Sequence, residues 1–255
     1  ESELAVMAIT CPVCLAMPGS LPVLNREVVD FAICAGLLTN CEIALSSRID
    51  RKNYFYPDLP KAYQLSQADE PLCRNGYVDV STEDGTSRIR VNRIHIEEDA
   101  GKLIHTDEAT SLIDMNRGGV PLIEIVSEPD IHSADEAVAY LRKLRSLVRY
   151  TGISDGRMNE GSLRCDVNLS IREKGSEVLG TRAEMKNLNS FNYIARAIES
   201  EFRRQVAIVE EGGTIEQETR RYDEKTDQTT AMRSKEDAAD YRYFPDPDLC
   251  RIEVT

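Results

Sequence analysis

The stretch SLRCDVNLSIR, residues 162–172, indicates the fold more directly than any other part of the sequence. Its polar side chains alternate with apolar ones at the odd positions Leu163, Cys165, Val167, Leu169 and Ile171. Successive side chains of a β-strand point to opposite faces, so the pattern predicts a strand with one apolar face. After the turn signals Gly175 and Gly180, TRAEMKN (181–187) repeats the alternation, and we expect the two segments to pair as a hairpin.

Three amphipathic helices are predicted to cover the apolar side of such hairpins. Their limits follow from capping signals: Asn25 to about Leu38, Ser133 to about Gly152, and Asn189 or Ser190 to about Gly212. Another hairpin is expected over 216–233, turning within DEKTDQ, and a β-bulge is expected near Asn92. Antiparallel hairpins with helices packed on one face predict an α+β fold.

The composition indicates an ordinary soluble globular protein. The chain has 255 residues, of which 41% are hydrophobic and 29% are charged. No apolar run approaches the roughly 20 residues that cross a bilayer, and the first residues lack the basic region of a secretory signal. Seven scattered cysteines do not suggest a disulfide framework. These features favour a reducing compartment and no membrane contact: the cytoplasm, or an organelle if the source is eukaryotic.

The net charge of −13 argues against a protein that coats nucleic acid by bulk electrostatics, because phosphate contacts need an excess of Lys and Arg. It leaves open contact with RNA through a local basic face or a partner subunit. It also leaves open a divalent-metal site, although most of these acids are expected to be a solvated surface.

The segment RIHIEEDAGK (93–102) ends a predicted strand in three carboxylates. Strand parity places Glu98 on the side of Ile94 and Ile96, whereas Glu97 shares the side of His95. Because burying a lone carboxylate is costly, Glu98 is expected to be a strand cap, an ion-pair partner or a cation ligand. Glu124, in PLIEIVSEPD (121–130), is a second acid among apolar strand neighbours.

The polar face of the predicted 162–187 hairpin carries a mixture of charged and amide side chains. Its members are Arg164, Asp166, Asn168, Glu184 and Lys186. The plainest interpretation is a solvated outer face. The alternative is that several acids converging from different strands bind Mg²⁺, which takes oxygen ligands. The adjacent arginines and lysines would then neutralise the phosphates of a nucleotide, without the Walker-type loop that the sequence lacks.

Two further segments have open interpretations. DRKNYFYPDLPKAYQ (50–64) is dense in tyrosine, proline and lysine, which is typical of an aromatic-packed loop but also suits a substrate path with Lys52 or Lys61 reaching an anion. Cys11 and Cys14, in CPVC, are half of a zinc knuckle. The sequence offers no second close cysteine pair, so zinc stays an open possibility and not an expectation.

Six dense motifs, in this order, resemble the B subunit of aspartyl/glutamyl-tRNA amidotransferase (GatB). They are DRKNYFYPDLPKAYQ (50–64), HIEEDAGK (95–102), IDMNRGGVPLIEIVSEPD (113–130), EGSLRCDVNLSIR (160–172), AEMKNLNSF (183–191) and DYRYFPDPD (240–248). The resemblance runs from about Cys11 to the C-terminus. It implies a catalytic domain over 1–255 with a fold similar to glutamine synthetase and guanido kinases.

The resemblance also implies the reaction and its participants. The family uses ATP and Mg²⁺ to phosphorylate the side-chain carboxylate of Glu-tRNA(Gln), and often Asp-tRNA(Asn). Ammonia from a glutaminase A subunit then displaces phosphate, and a small C subunit completes the complex. Position by position, the residues that match functional ones are Lys52, Glu98, Asp166 and Glu184, and Glu124 lies in the signature motif. The resemblance thus implies Glu98, Asp166 and Glu184 as ligands of Mg²⁺, and the nucleotide-binding residues expected beside them are Arg164, Asn168 and Lys186. Each has a plainer role open to it: Lys52 braces Asp50 or Asp58, for example, and Glu124 pairs with Arg117.

The sequence departs from the family pattern at both ends. The expected Glu-Val-His strand and CxC pair do not precede CPVC, and the C-terminal helical and tail domains do not follow Thr255. The expectation is therefore an isolated or truncated catalytic domain. Two rival interpretations are a catalytically incomplete fragment that serves subunit assembly or tRNA docking, and a free-standing carboxylate kinase.

Overall fold

The computed structural model describes residues 12–13, 17–105, 110–234 and 240–255. The helices in these ranges are α1 (Arg26–Leu38), α2 (Ala134–Tyr150) and α3 (Phe191–Glu210). The strands that precede α2 are β1 (Glu42–Ile43), β2 (Ser46–Ser47), β3 (Asp50–Asn53), β4 (Tyr63–Ser66), β5 (Cys73–Thr82), β6 (Gly85–Glu98), β7 (Lys102–His105), β8 (Ser111–Asp114) and β9 (Pro121–Ser127). Those that follow it are β10 (Val167–Leu169), β11 (Ala183–Lys186), β12 (Glu218–Asp223), β13 (Gln228–Ser234), β14 (Phe244–Pro245) and β15 (Ile252–Glu253).

The chain divides into two compact units. The first consists of the described residues within 1–78, 90–128 and 239–255, and the second of those within 79–89 and 129–238. None of the helices in the described ranges is both long and apolar enough to cross a bilayer. The α+β class predicted from the hairpins and helices is confirmed.

The first unit is built around antiparallel sheets. Strands β1, β5, β6 and β9 form one sheet in that order, although residues 79–89 of the β5–β6 pair are counted with the second unit, and β14, β3 and β4 form another sheet. The bulge expected near Asn92 is present, because the pairing of β6 with β9 shifts between Val91 and Arg93. Beyond the bulge, Ile94 and Ile96 point into the core, with 0% and 3% of their surface exposed. Strand parity then turns His95 and Glu97 to the other face.

The second unit places two helices on one sheet. The sheet order is β10-β11-β12-β13, and only the β11–β12 pair is parallel. Its apolar face packs on α2 and α3 in a core that includes Leu141, Met185, Leu188, Ile194 and Ala197. The predicted hairpins over 162–187 and 216–233 are therefore confirmed. The first of them is shorter than predicted, because β11 has four residues and pairs only with Val167–Leu169.

The helix limits follow the predicted capping signals. The Ser133 hydroxyl accepts a hydrogen bond from the Glu136 amide at 3.1 Å, and the Ser190 hydroxyl accepts one from the Tyr193 amide at 3.1 Å. Asn25 caps α1 in the same way, at 2.8 Å from the Glu27 amide. Each bond satisfies an amide at a helix start that has no partner within the helix.

Candidate active site

The acidic end of β6 and the middle of β9 bring three potential metal ligands together in the first unit. His95 lies directly opposite Glu124 in the antiparallel register, and Glu97 follows His95 on the same face. We call His95, Glu97 and Glu124 the His–Glu–Glu cluster. Each of the three offers one ligand atom, and these atoms all lie within 4.8 Å of one another.

The cluster is held by hydrogen bonds on its buried side and opens on the other. The imidazole Nε2 of His95 is 3.3 Å from a Glu97 carboxylate oxygen and 3.5 Å from a Glu124 oxygen. The Ser66 hydroxyl donates to Glu97 at 2.8 Å. The side chains of His95 and Glu97 are buried, whereas half of the Glu124 side chain is exposed. A ligand can therefore reach the cluster from the side of Glu124.

The two carboxyl groups of the cluster have pKa values displaced in opposite directions. Burial favours the neutral form of Glu97, but its hydrogen bonds to His95 and Ser66 and the charge of Lys52 outweigh burial and lower its pKa. Burial and the negative charge of Glu97 raise the pKa of Glu124, against His95, Lys52 and Arg93. Environments that separate the pKa values of neighbouring acids are typical of functional sites.

Lys52 and the tyrosines Tyr54, Tyr241 and Tyr243 form a neighbouring group that interacts electrostatically with the cluster. The Lys52 ammonium lies 4.9 Å from the centre of the Tyr241 ring, and its charge acts on both Glu97 and Glu124. Burial, the charge of Glu97 and the neighbouring Tyr241 raise the pKa of Tyr243 to about 12. Burial, Asp58 and Tyr241 likewise raise the pKa of Tyr54 to about 12. Tyr54 and Tyr243 therefore stay neutral hydroxyl donors. Both rings meet the Tyr241 ring edge to face, with centroids 5.9 and 6.2 Å apart, and we call the three rings the aromatic wall.

The donor set of the cluster fits a divalent cation. Glu97 and Glu124 supply the hard oxygen donors that Mg²⁺ and Mn²⁺ take, and His95 adds a nitrogen donor of the kind preferred by Zn²⁺. Among the described residues, the second ring nitrogen of His95, Nδ1, is buried and has no hydrogen-bond partner. A cation would also compensate the repulsion between the two carboxylates.

Glu98, which was predicted as a metal ligand and catalytic residue, has other partners in the first unit. Its carboxylate pairs with the Lys61 ammonium and accepts a hydrogen bond from the Leu65 amide at 2.9 Å. Both charged side chains are about nine-tenths buried, with 8% and 10% exposed. Of the three roles open to Glu98, the ion pair is the one present, and its role as a ligand stays a prediction.

For two of the plainer roles considered, the structure shows other contacts of the residues involved. Arg117 pairs with Asp99 at 3.0 Å, while Glu124 faces His95. The Asp50 carboxylate accepts from Arg48 at 3.0 Å and from the Ala68 amide at 2.9 Å, while Lys52 lies over Tyr241.

The polar face of the second unit gathers the other predicted residues. The Lys186 ammonium lies 3.2 Å from Asp166 and 3.3 Å from Glu184, so one cation bridges the two predicted Mg²⁺ ligands. Desolvation lowers the pKa of Lys186, but the two carboxylates outweigh it and raise the pKa above its ordinary value. Asn168 is opposite Glu184 in the sheet, and Arg164 is exposed just before β10. The predicted pairing of strands therefore does bring Asp166, Glu184 and Lys186 together.

In the first unit, the residues that the structure brings together differ in part from the predicted site residues. Cys11 and Cys14, the possible zinc ligands, lie outside the described residues. His95 and Glu97 were not among the predicted site residues, although strand parity and the motif HIEEDAGK contained the signal for both. Glu124 and Lys52 were predicted, and both lie at the cluster.

The comparisons with known proteins all identify the same family. A family model described as GatB/GatE catalytic domain matches residues 2–255. Three relatives are each named as the B subunit of an aspartyl/glutamyl-tRNA(Asn/Gln) amidotransferase. They come from Caldanaerobacter subterraneus (61% identity over 245 residues), Caldicellulosiruptor saccharolyticus (61% over 245) and Geobacter sulfurreducens (58% over 250). Each alignment covers 96% of this chain and 51–52% of the relative, so the chain spans about half the length of these curated relatives. The chain belongs to the GatB/GatE catalytic domain family.

Proposed function

We propose that this chain is the catalytic part of an ATP- and Mg²⁺-dependent aminoacyl-tRNA amidotransferase. Its substrate would be the side-chain carboxylate of Glu-tRNA(Gln), Asp-tRNA(Asn) or both. The names of the relatives and the family membership support this reaction class. The observation that carries the proposal to particular residues is the His–Glu–Glu cluster, which fits a divalent cation and lies beside Lys52.

The chemistry requires activation of a poor electrophile. The carboxylate oxygen attacks the γ-phosphorus of ATP, and the bond from that phosphorus to the bridging oxygen breaks, so that ADP leaves. The product is an acyl phosphate, in which the acyl carbon carries phosphate as a leaving group. Ammonia then attacks the acyl carbon and phosphate leaves, which forms the amide. Exclusion of water favours ammonia over hydrolysis.

In this proposal the residues of the first unit bind Mg²⁺ and neutralise the charge of the phosphate oxygens. His95, Glu97 and Glu124 would hold Mg²⁺, which when bound offsets the charge of the phosphate oxygens. Lys52 adds a fixed positive charge at the same place, and the neutral tyrosines exclude water from one side. In the second unit, Asp166, Glu184 and Lys186 would bind a metal ion or phosphate, with Arg164 and Asn168 on the same polar face. Glu98 stays a proposed ligand that would first have to leave Lys61.

The wider context of the proposal follows the family. A glutaminase A subunit would supply ammonia, a small C subunit would complete the complex, and the reaction would take place in the cytoplasm or an organelle. We also propose that residues 1–255 belong to a catalytic domain of the glutamine synthetase and guanido kinase type. The antiparallel sheets with helices on one face support that fold type. Zinc, where it is bound, would be held by Cys11 and Cys14.

The test is release of γ-phosphate from [γ-³²P]ATP by the full-length protein with its partner subunits, with and without Glu-tRNA(Gln). We expect Glu124→Ala and His95→Ala to reduce the tRNA-dependent release at least about a hundredfold. Each substitution removes a side chain that would hold the cation, and that cation offsets the charge of the transferred phosphate. Glu128→Ala, four residues further along the chain, and His132→Ala, whose side chain is exposed, are matched controls and should keep activity.

Unchanged release in both His95 and Glu124 variants would contradict the assignment of the cluster. A wild-type complex that binds Glu-tRNA but releases no phosphate would favour the alternative, a docking or assembly fragment. Phosphate release that depends on free glutamate and not on the tRNA would favour a small-molecule carboxylate kinase.

A further inference from the structure

The segment 240–248 is docked on β3 by a dense set of contacts. The Asn53 backbone amide donates to the Tyr241 carbonyl at 2.9 Å, and the Asn53 side chain donates to the Arg242 carbonyl at 2.7 Å. Phe244 and Pro245 then pair with Arg51 and Asp50 as strand β14. The segment therefore follows β3 over its whole length.

Arg51 fastens the far end of the segment with two charged hydrogen bonds. Its Nε donates to Asp246 at 2.7 Å and its Nη2 donates to Asp248 at 2.6 Å. The Asp246 side chain is fully buried and also accepts from the Asp248 and Leu249 amides at 2.8 and 3.1 Å. The guanidinium lies 4.2 Å from the Tyr63 ring centre on β4. Because two nitrogens of the planar guanidinium each bond a different carboxylate, Arg51 fixes the orientation of the segment as well as its distance. A lysine ammonium would not fix the orientation.

This docking places two tyrosines of the segment at the His–Glu–Glu cluster. Tyr241 lies over the Lys52 ammonium, and the two tyrosine rings meet edge to face, with centroids 6.2 Å apart. Burial and the charges of Glu97 and Glu124 help to raise the pKa of Tyr243 to about 12. Arg242, between them, has a φ of 43°, a left-handed conformation that is costly for arginine and that persists only when neighbouring contacts hold it.

We propose that Arg51 and Asp246 are positioning residues for the active site: their buried ion pair holds the segment 240–245 on β3 and thereby holds Tyr241 and Tyr243 as the wall of the His–Glu–Glu cluster. Neither residue touches the cluster itself. Their effect is carried by the two tyrosines, which are partly exposed, at 39% and 42%, and in this proposal shield the acids from water on one side only. Such shielding strengthens the electrostatic interactions made there. This inference rests on the proposed function and adds residues to its site.

The test compares Arg51→Met and Asp246→Asn with the wild type in the full-length protein with its partner subunits. We expect hydrogen–deuterium exchange of the peptide covering 240–245 to accelerate about tenfold in both variants. We expect kcat of tRNA-dependent ATP cleavage to fall at least about tenfold while KM for ATP stays within about twofold, because the nucleotide keeps its own contacts. Arg251→Met is the matched control: it removes an arginine bound to Glu70 and Ser46, away from the segment.

A double-mutant comparison separates positioning from general stability. If Arg51 acts through the tyrosines, then adding Arg51→Met to Tyr241→Leu/Tyr243→Leu lowers kcat no further, since mutations that remove one shared interaction are not additive. Additive losses would overturn the proposal. Asn53→Ala, which removes one side-chain bond to Arg242, is a milder variant for use if the charge variants do not fold, and it should show the same pattern to a smaller degree.

The remaining outcomes are also decisive. Faster exchange with unchanged kcat would show that the wall is not needed, and reduced kcat with unchanged exchange would show that Arg51 acts by another route. If the wild type cleaves no ATP, the proposed function fails separately, and Mn²⁺ binding measured by electron paramagnetic resonance replaces catalysis. Arg51→Met should then weaken Mn²⁺ binding about tenfold as water reaches the acids, and equal affinity would overturn the proposal.

Discussion

Glu124 lies directly opposite His95 across the β6–β9 pair, with its carboxylate 3.5 Å from the imidazole Nε2, while Glu97 contacts the same nitrogen at 3.3 Å. One imidazole thus lies between two carboxyl groups, of which one is buried and the other half-exposed. The charge of Glu97 favours the neutral form of Glu124, so the two acids are coupled. This arrangement determines how the first unit should respond to pH and to metal.

The first prediction is that Glu97→Gln and Glu124→Gln change stability in opposite directions. The pKa of Glu97 is lower in the folded protein than the unfolded value of 4.5, so its ionisation stabilises the fold at neutral pH. Glu97→Gln should lower the free energy of unfolding by about 1–3 kcal/mol at pH 7, as expected for a disrupted buried hydrogen-bonded acid. The loss should disappear as the pH falls below the folded pKa of Glu97.

The pKa of Glu124 is higher in the folded protein than 4.5, so its ionisation destabilises the fold above that folded pKa. Glu124→Gln should therefore stabilise at pH 7, by less than about 1 kcal/mol because the side chain is half-exposed. The gain should vanish below pH 4.5. Urea unfolding of the full-length subunit in EDTA across this range measures both effects, and a gain for Glu97→Gln at neutral pH would contradict the charge arrangement.

The second prediction concerns metal. Because a cation offsets the repulsion between Glu97 and Glu124, Mg²⁺ or Mn²⁺ should raise the melting temperature of the wild type in proportion to the logarithm of its concentration. Glu124→Gln removes one ligand charge and should abolish most of this increase. Differential scanning fluorimetry in EDTA and in graded Mg²⁺ measures it, with Glu128→Gln as the control. An equal increase in the wild type and Glu124→Gln would place the metal elsewhere.

The third prediction separates the two roles of Glu98. Glu98→Gln leaves the Lys61 ammonium buried without its charge partner, so the free energy of unfolding should fall by about 3–5 kcal/mol. Replacing both partners in Lys61→Met/Glu98→Leu should recover much of that loss, since an apolar pair removes the unpaired charge. If Glu98→Gln instead weakens Mn²⁺ binding at nearly unchanged stability, Glu98 is a ligand as the sequence predicted.

Local signals in the sequence account for most of the fold. The caps Asn25 and Ser133 were predicted, and the third was narrowed to Asn189 or Ser190, of which Ser190 is the cap, because each capping bond is made within three residues along the chain. Strand parity alone placed Glu97 beside His95. What parity cannot give is the partner from another strand: Lys61 lies 37 residues before Glu98 and takes that carboxylate into an ion pair. The 162–172 strand was likewise predicted too long, because its length depends on a partner from elsewhere in the chain: β11 pairs only with Val167–Leu169.

The last prediction concerns the polar face of the second unit, where Lys186 bridges Asp166 and Glu184. All three side chains are partly exposed, at 40%, 48% and 27%, so Lys186→Met should change the free energy of unfolding by less than about 1 kcal/mol. If the face binds nucleotide phosphates, the same substitution removes their cation and should raise KM for ATP at least about tenfold. Lys225→Met, in the hairpin turn between β12 and β13, is the matched control. Steady-state ATP cleavage with Glu-tRNA(Gln) at varied ATP concentration measures the effect. If KM and kcat are both unchanged, this face is a solvated surface and does not bind the nucleotide.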